Sequence, residues 1–180
     1  MHPRLELDKV APDALRSVLQ VSAYINNHSG LEPSLLNLVY LRASQINGCA
    51  WCIDMHTKDA RALGETEQRL YEVSAWWDAP FYSDRERAAL AWTESVTRIA
   101  EGRVTDEVYE EAKKHFTDKE LVNLTLAITQ INVWNRFNVA FRNVAGSYQP
   151  NVRELKKSAW SIQIAVCAQA LTRIQTAISV

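Results

Sequence analysis

The sequence predicts an all-α chain, a compact bundle of several helices. Gly and Pro number only five each, while Ala, Leu, Glu and Arg are abundant, so helix breakers are rare. Apolar residues recur at helical spacing along most of the chain. Helix start and stop signals also recur, with short connections between them. The 180 residues suit one domain, or one domain with an appendage. A chain of this length buries roughly 70% of the surface its unfolded form exposes, so it needs neither disulfide nor metal to fold.

The elements follow in order. Pro12-Asp13 opens an apolar-periodic stretch (Leu15, Val18, Leu19, Val21, Tyr24, Ile25) that closes at Asn27-His28-Ser29-Gly30. Pro33-Ser34 starts a helix that is apolar on most sides, from Leu35 to Ile46, and is therefore expected at the centre. Asn47-Gly48 stops it. The next helix begins at or near Cys49 and runs to Leu63-Gly64. A further helix starts at Thr66, carries Leu70, Val73 and Trp76, and is ended by Pro80. Ser83 with Glu86 reads as an N-cap with a carboxylate at the third helical position, before a helix closed by Gly102. Thr105 introduces a short helix ending near Phe116. Thr117-Asp118-Lys119-Glu120 is a capping box for a long apolar helix ending around Ala145-Gly146.

Residues 151–180 read as a C-terminal helical extension of a domain spanning residues 1–150. Trp160, Ile164, Cys167, Leu171, Ile174 and Ile178 form a heptad-like stripe. Such a helix would dock on its own domain, on a neighbouring subunit, or be a poorly ordered tail. Cys167 in that stripe is expected to be an inert core thiol.

Charge and composition exclude several functions. A formal net charge of −1 gives no reason to expect nucleic acid as a partner. No apolar run is long enough to span a bilayer, and the polar N-terminus has no signal-peptide core. Three cysteines do not make a secreted disulfide scaffold. A cytoplasmic location is expected. There a C-x-x-C is more often catalytic or metal-binding than structural.

Chemistry concentrates in Asn47-Gly48-Cys49-Ala50-Trp51-Cys52-Ile53-Asp54-Met55-His56. The Asn-Gly stop puts both cysteines in the first turn of a new helix. Unpaired backbone N–H groups and the positive dipole end stabilise an anion there, and a thiolate is one. Residues three and four apart on a helix are neighbours, so Cys52 lies beside both Cys49 and His56. His56 is placed to accept the Cys52 proton, directly or through water, and Cys49 to condense with a sulfenic acid on Cys52.

Two other readings of these residues stand beside this one. A zinc site needs a fourth ligand, and only His115 or Cys167 could complete it, neither in a recognisable knuckle. The plainer alternative is a pair of buried cysteines with a satisfied histidine. Asp54 and Lys58 read as solvated helix residues, and His2 and His28 have no evident partners. Trp51, Trp76, Trp77, Trp92 and Trp134, like Tyr40 and Tyr82, read as core or subunit contacts rather than a substrate box.

The run from Arg42 to Ala60, RASQINGCAWCIDMHTKDA, resembles the core of the alkylhydroperoxidase D-like branch of the carboxymuconolactone decarboxylase family. The stretches Asp84–Trp92 and Ile131–Arg136 are similar to it as well, and the resemblance covers roughly residues 10–150. It implies an all-α fold, homo-oligomers such as trimers or hexamers, and thiol-dependent reduction of hydroperoxides as antioxidant defence. It implies that Cys52 attacks and Cys49 resolves. The electron donor would be a thiol or a lipoyl-type group, and no cofactor or metal is expected. Two positions depart from the family pattern. Asn37 stands where the family's glutamate precedes the cysteines by twelve positions, and Trp51 stands where the best-known peroxidase members have histidine. Other functions compatible with the same resemblance are a non-enzymatic redox sensor or scaffold, and a decarboxylase-type lyase, which would need no cysteine pair.

Overall fold

A computed structural model describes residues 2–153 and 155. Among these residues the secondary structure is helical throughout. The stripe from Trp160 to Ile178, including Cys167, lies outside the described residues.

A short first helix, α1 (Leu7–Val10), precedes the elements read from the sequence. Its approach is tied to a segment distant in sequence, where Arg4 N–H donates to Phe141 O at 2.7 Å. Helix α2 (Pro12–His28) and helix α3 (Pro33–Ile46) each place a proline in the first turn. There the missing N–H costs no hydrogen bond and the fixed φ suits the helix. Helix α4 (Ala50–Ala62) follows, with Cys49 as its N-cap.

Helix α5 (Glu67–Glu72) is shorter than expected. It tightens into a 3₁₀ turn, Val73–Ala75, and unwinds before Pro80 is reached. The reason is tertiary. The Arg87 guanidinium donates to the carbonyls of Trp76, Trp77, Ala79 and Tyr82, so these groups have partners without a helix. Helix α6 (Asp84–Thr97) has the expected capping box. It breaks at Arg98, and the continuation is a separate turn, α7 (Ile99–Gly102). Val96 still packs on the core, whereas Ile99 is 57% exposed and holds nothing in line.

Helix α8 (Asp106–His115) is capped by Thr105. Helix α9 (Asp118–Phe141) has the second capping box and ends four residues early. Arg142 turns left-handed there (φ 58°), and Asn143 N–H bonds back to Asn138 O at 3.0 Å.

As expected, α3 is central. Leu35, Leu36 and Val39 join a cluster with α2, α6, α8 and α9. Leu38 and Leu41 face the other way, into a cluster with Ala60, Leu70, Val73, Tyr82 and Leu90. Arg42 on α3 is nearly buried and pairs with Glu94 of α6 at 2.7 Å, which also accepts from Trp76 Nε1 at 2.8 Å. These contacts fix the C-terminal end of α3, and so the turn that follows it.

Candidate active site

That turn carries the cysteines. Gly48 adopts a left-handed conformation (φ 67°), which lets the chain reverse from α3 into α4. Cys49 N–H then bonds to Ser44 O at 3.0 Å. Cys49 Sγ accepts from Cys52 N–H at 3.3 Å, capping α4 with sulfur. The two thiols are joined as a disulfide, with Cα atoms 5.4 Å apart. Both cysteines are 1% exposed. The expected placement at the start of a helix therefore holds, with Cys49 at the N-cap and Cys52 in the first turn.

The two sulfurs have different surroundings. Cys52 lines a cavity of about 340 Å³, together with His56, Met55, Tyr40, Trp51 and Trp134, whereas Cys49 is absent from its walls. The cavity is largely apolar. Leu19, expected in the core stripe of α2, is 50% exposed and lies at this cavity instead. Trp51, Trp134 and Tyr40 are thus walls of the site, not only packing. Trp76, Trp77 and Trp92 lie elsewhere, as does Tyr82, whose hydroxyl donates to Arg69 O.

His56 is buried, and its Nδ1 has no hydrogen-bond partner. Burial holds its pKa down at about 4, so the imidazole is neutral at pH 7. Its ring lies 5.0 Å from that of Tyr40. Burial drives the Tyr40 phenol well above its usual pKa, so it stays protonated. Asn37 is not a wall of this cavity. It lines an adjoining cleft of about 250 Å³, which shares Tyr40 with the first.

A row of buried amides on α9 supports the cysteine turn. Asn138 Nδ2 donates to Cys52 Sγ at 3.3 Å and is itself held by Asn143 at 2.5 Å. Asn47, the last residue before Gly48, donates to Asn135 Oδ1 at 2.8 Å and Asn132 Oδ1 at 3.0 Å. Asn135 Nδ2 continues to Ser44 Oγ at 3.0 Å. Reading the sequence missed Asn138. Its signal was visible: asparagines 132, 135 and 138 repeat every three residues on an otherwise apolar helix, and buried amides need partners.

Asp54 and Lys58 are not merely solvated. They pair at 2.9 Å and grip the segment after α9, with Lys58 Nζ on Tyr148 O at 3.0 Å and Gly146 N–H on Asp54 at 3.1 Å. Lys58 holds the Asp54 carboxyl below its usual pKa. Tyr148 O–H donates to the buried Asp59 at 2.8 Å, and its ring meets Trp51 edge-on. His28 has a ring partner after all, Tyr24 at 5.8 Å. His115 pairs with Glu111 at 3.2 Å and does not line the cavity. Among the described residues no cluster of three or more His, Cys, Asp or Glu could hold a metal, and no helix is long and apolar enough to cross a membrane.

The family model for the carboxymuconolactone decarboxylase family matches residues 12–95, which run from α2 through most of α6. The uncharacterized protein YdfG of Bacillus subtilis is 42% identical over 147 residues, 82% of this chain and 99% of YdfG. The chain belongs to the carboxymuconolactone decarboxylase family. Within that family its fold is alkylhydroperoxidase D-like. A solved structure of a protein of unknown function from Agrobacterium tumefaciens, proposed to be the antioxidant defence protein AhpD, is 41% identical. It aligns over 82% of this chain and 100% of that one, with a TM-score of 0.78. The debrominase Bmp8, as a cysteine-to-alanine variant in complex with 2,3,4-tribromopyrrole, shares the fold at 17% identity. It aligns over 83% of this chain and 78% of its own, with a TM-score of 0.69. The family match spans the cysteine helix, whereas the supporting amides of α9 lie beyond residue 95.

Proposed function

We propose that this family member reduces organic hydroperoxides with the Cys49–Cys52 couple, as an antioxidant defence. The observation that carries the proposal is the asymmetry of the two sulfurs. Cys52 faces an apolar, aromatic cavity beside His56, while Cys49 sits behind it within disulfide reach.

In the reduced chain, neutral His56 takes the Cys52 proton. The helix start and the Asn138 amide stabilise the thiolate. The thiolate sulfur attacks the outer oxygen of the hydroperoxide. An S–O bond forms as the O–O bond breaks, sulfur loses two electrons, and the organic oxygen leaves to become an alcohol. The Cys52 sulfenic acid then condenses with the Cys49 thiol, releasing water and forming the disulfide. A dithiol or lipoyl-type donor returns two electrons and two protons to the pair. The proposal includes a reducing, cytoplasmic setting and assembly as trimers or hexamers.

The lone His56 Nδ1 and the absence of a carboxylate at Asn37 favour a second reading, a redox sensor that reacts but turns over slowly. Both readings are tested by thiol counting on the pre-reduced chain. One equivalent of cumene hydroperoxide should lower the three cysteine thiols to one. Unchanged thiols would overturn both. Turnover with added dithiol donors separates the enzyme from the sensor.

A further inference from the structure

The geometry points to Tyr40 as a catalytic acid of this site, the group that protonates the oxygen leaving from a bound hydroperoxide. The inference rests on the hydroperoxide reading above and names one more residue for it.

Breaking the O–O bond of an alkyl hydroperoxide expels an alkoxide, which is strongly basic and needs a proton as it departs. The cavity offers few sources. Burial keeps His56 neutral, and its first task is to receive the Cys52 proton. The carboxylate that the family pattern would supply is replaced by Asn37, which faces the adjoining cleft. Asn138 Nδ2 is engaged with Cys52 Sγ, and an amide does not release protons at neutral pH. Ser22 Oγ is taken up by Val18 O and Gln130.

Tyr40 meets the requirement. It lines the same cavity as Cys52 and His56, and its ring packs on the imidazole at a centroid distance of 5.0 Å. Burial raises its pKa, so at neutral pH it holds the proton until a base as strong as an alkoxide appears. The step then balances. The Cys52 proton passes to His56, the Tyr40 proton passes to the leaving oxygen, and the imidazolium beside the phenolate restores the phenol. The net change is Cys52 thiol plus hydroperoxide to Cys52 sulfenic acid plus alcohol.

The test is single-turnover oxidation of the pre-reduced chain by two oxidants, cumene hydroperoxide and peracetic acid. Peracetic acid expels acetate, which leaves without a proton. Tyr40→Phe keeps the ring against His56 and removes only the O–H. It should slow the reaction with cumene hydroperoxide on the order of 10²-fold, the lower end of general-acid effects. Its reaction with peracetic acid should stay within about twofold of wild type, which also shows that the variant is folded and its thiolate intact. Equal slowing with both oxidants, or no slowing with either, overturns the assignment. A wild-type chain that consumes neither oxidant instead overturns the hydroperoxide reading itself.

Discussion

The amide of Asn138, on the last turns of α9, donates to Cys52 Sγ across 3.3 Å, joining two helices at the sulfur that faces the cavity. A neutral N–H aimed at sulfur stabilises a thiolate more than a thiol. Hydrogen bonds to charged groups contribute about 1.5–3 kcal/mol. Asn138→Leu should therefore raise the Cys52 pKa by roughly one unit or more, at 1.36 kcal/mol per unit. The pH dependence of iodoacetamide alkylation of the reduced chain measures this. An unshifted profile would show that the amide serves packing alone.

The amides below it hold the cysteine turn in place. Asn135 accepts from Asn47 and donates to Ser44, and it is 1% exposed. Asn135→Ala takes the donor from buried Ser44 Oγ and one of three acceptors from Asn47, which keeps Asn132 Oδ1 and Ala43 O, and should cost about 1–3 kcal/mol in urea unfolding. Asn47 precedes Gly48, so the same variant should also slow re-formation of the disulfide after reduction.

Burial of His56 makes stability depend on pH. In the folded disulfide form its pKa is about 4, against about 6.5 when unfolded. Between those values the unfolded chain binds more protons, so stability is full above about pH 6.5 and falls as pH drops toward 4. The gap corresponds to about 3 kcal/mol. Asp59 opposes it, because burial raises its carboxyl pKa. The measurement is therefore a difference. Wild type should lose more urea stability than His56→Leu between pH 7 and pH 4.5, and parallel curves would place the imidazole in water.

A carboxylate at position 37 should strengthen the base. Asn37 lies across Tyr40 from the cavity, and His56 Nδ1 lacks a partner. Asn37→Glu should lower the pH at which Cys52 reacts with hydroperoxide. Identical pH–rate profiles for the two chains would remove position 37 from the reaction.

Local signals made much of this fold legible. The prolines at 12 and 33, the Asn-Gly stop and the two capping boxes bound α2, α3, α4, α6 and α9, because each acts within a few residues. The features that escaped depend on distant partners. Helix α5 stops at Glu72 because Arg87, from another helix, satisfies the carbonyls that follow. The approach to α1 is pinned by Phe141, the last residue of α9. In the site, the C-x-x-C and His56 were readable from spacing. Asn138 was not tied to Cys52, since 86 residues separate them. Trp134 and Tyr40 looked like packing because apolar helix positions carry no mark distinguishing a core from a cavity wall.

Sulfenic acid trapping tests the assignment of Cys52 as the attacking thiol most directly. Reduced Cys49→Ser and Cys52→Ser chains are each treated with one equivalent of cumene hydroperoxide and a 1,3-diketone trap, then mapped by peptide mass spectrometry. The expected result is an adduct on Cys52 in the Cys49→Ser chain, and an unmodified Cys49 with no peroxide consumed in the Cys52→Ser chain. An adduct on Cys49 formed as fast as in the other variant would contradict the assignment, since Cys49 lies behind the cavity that Cys52 faces.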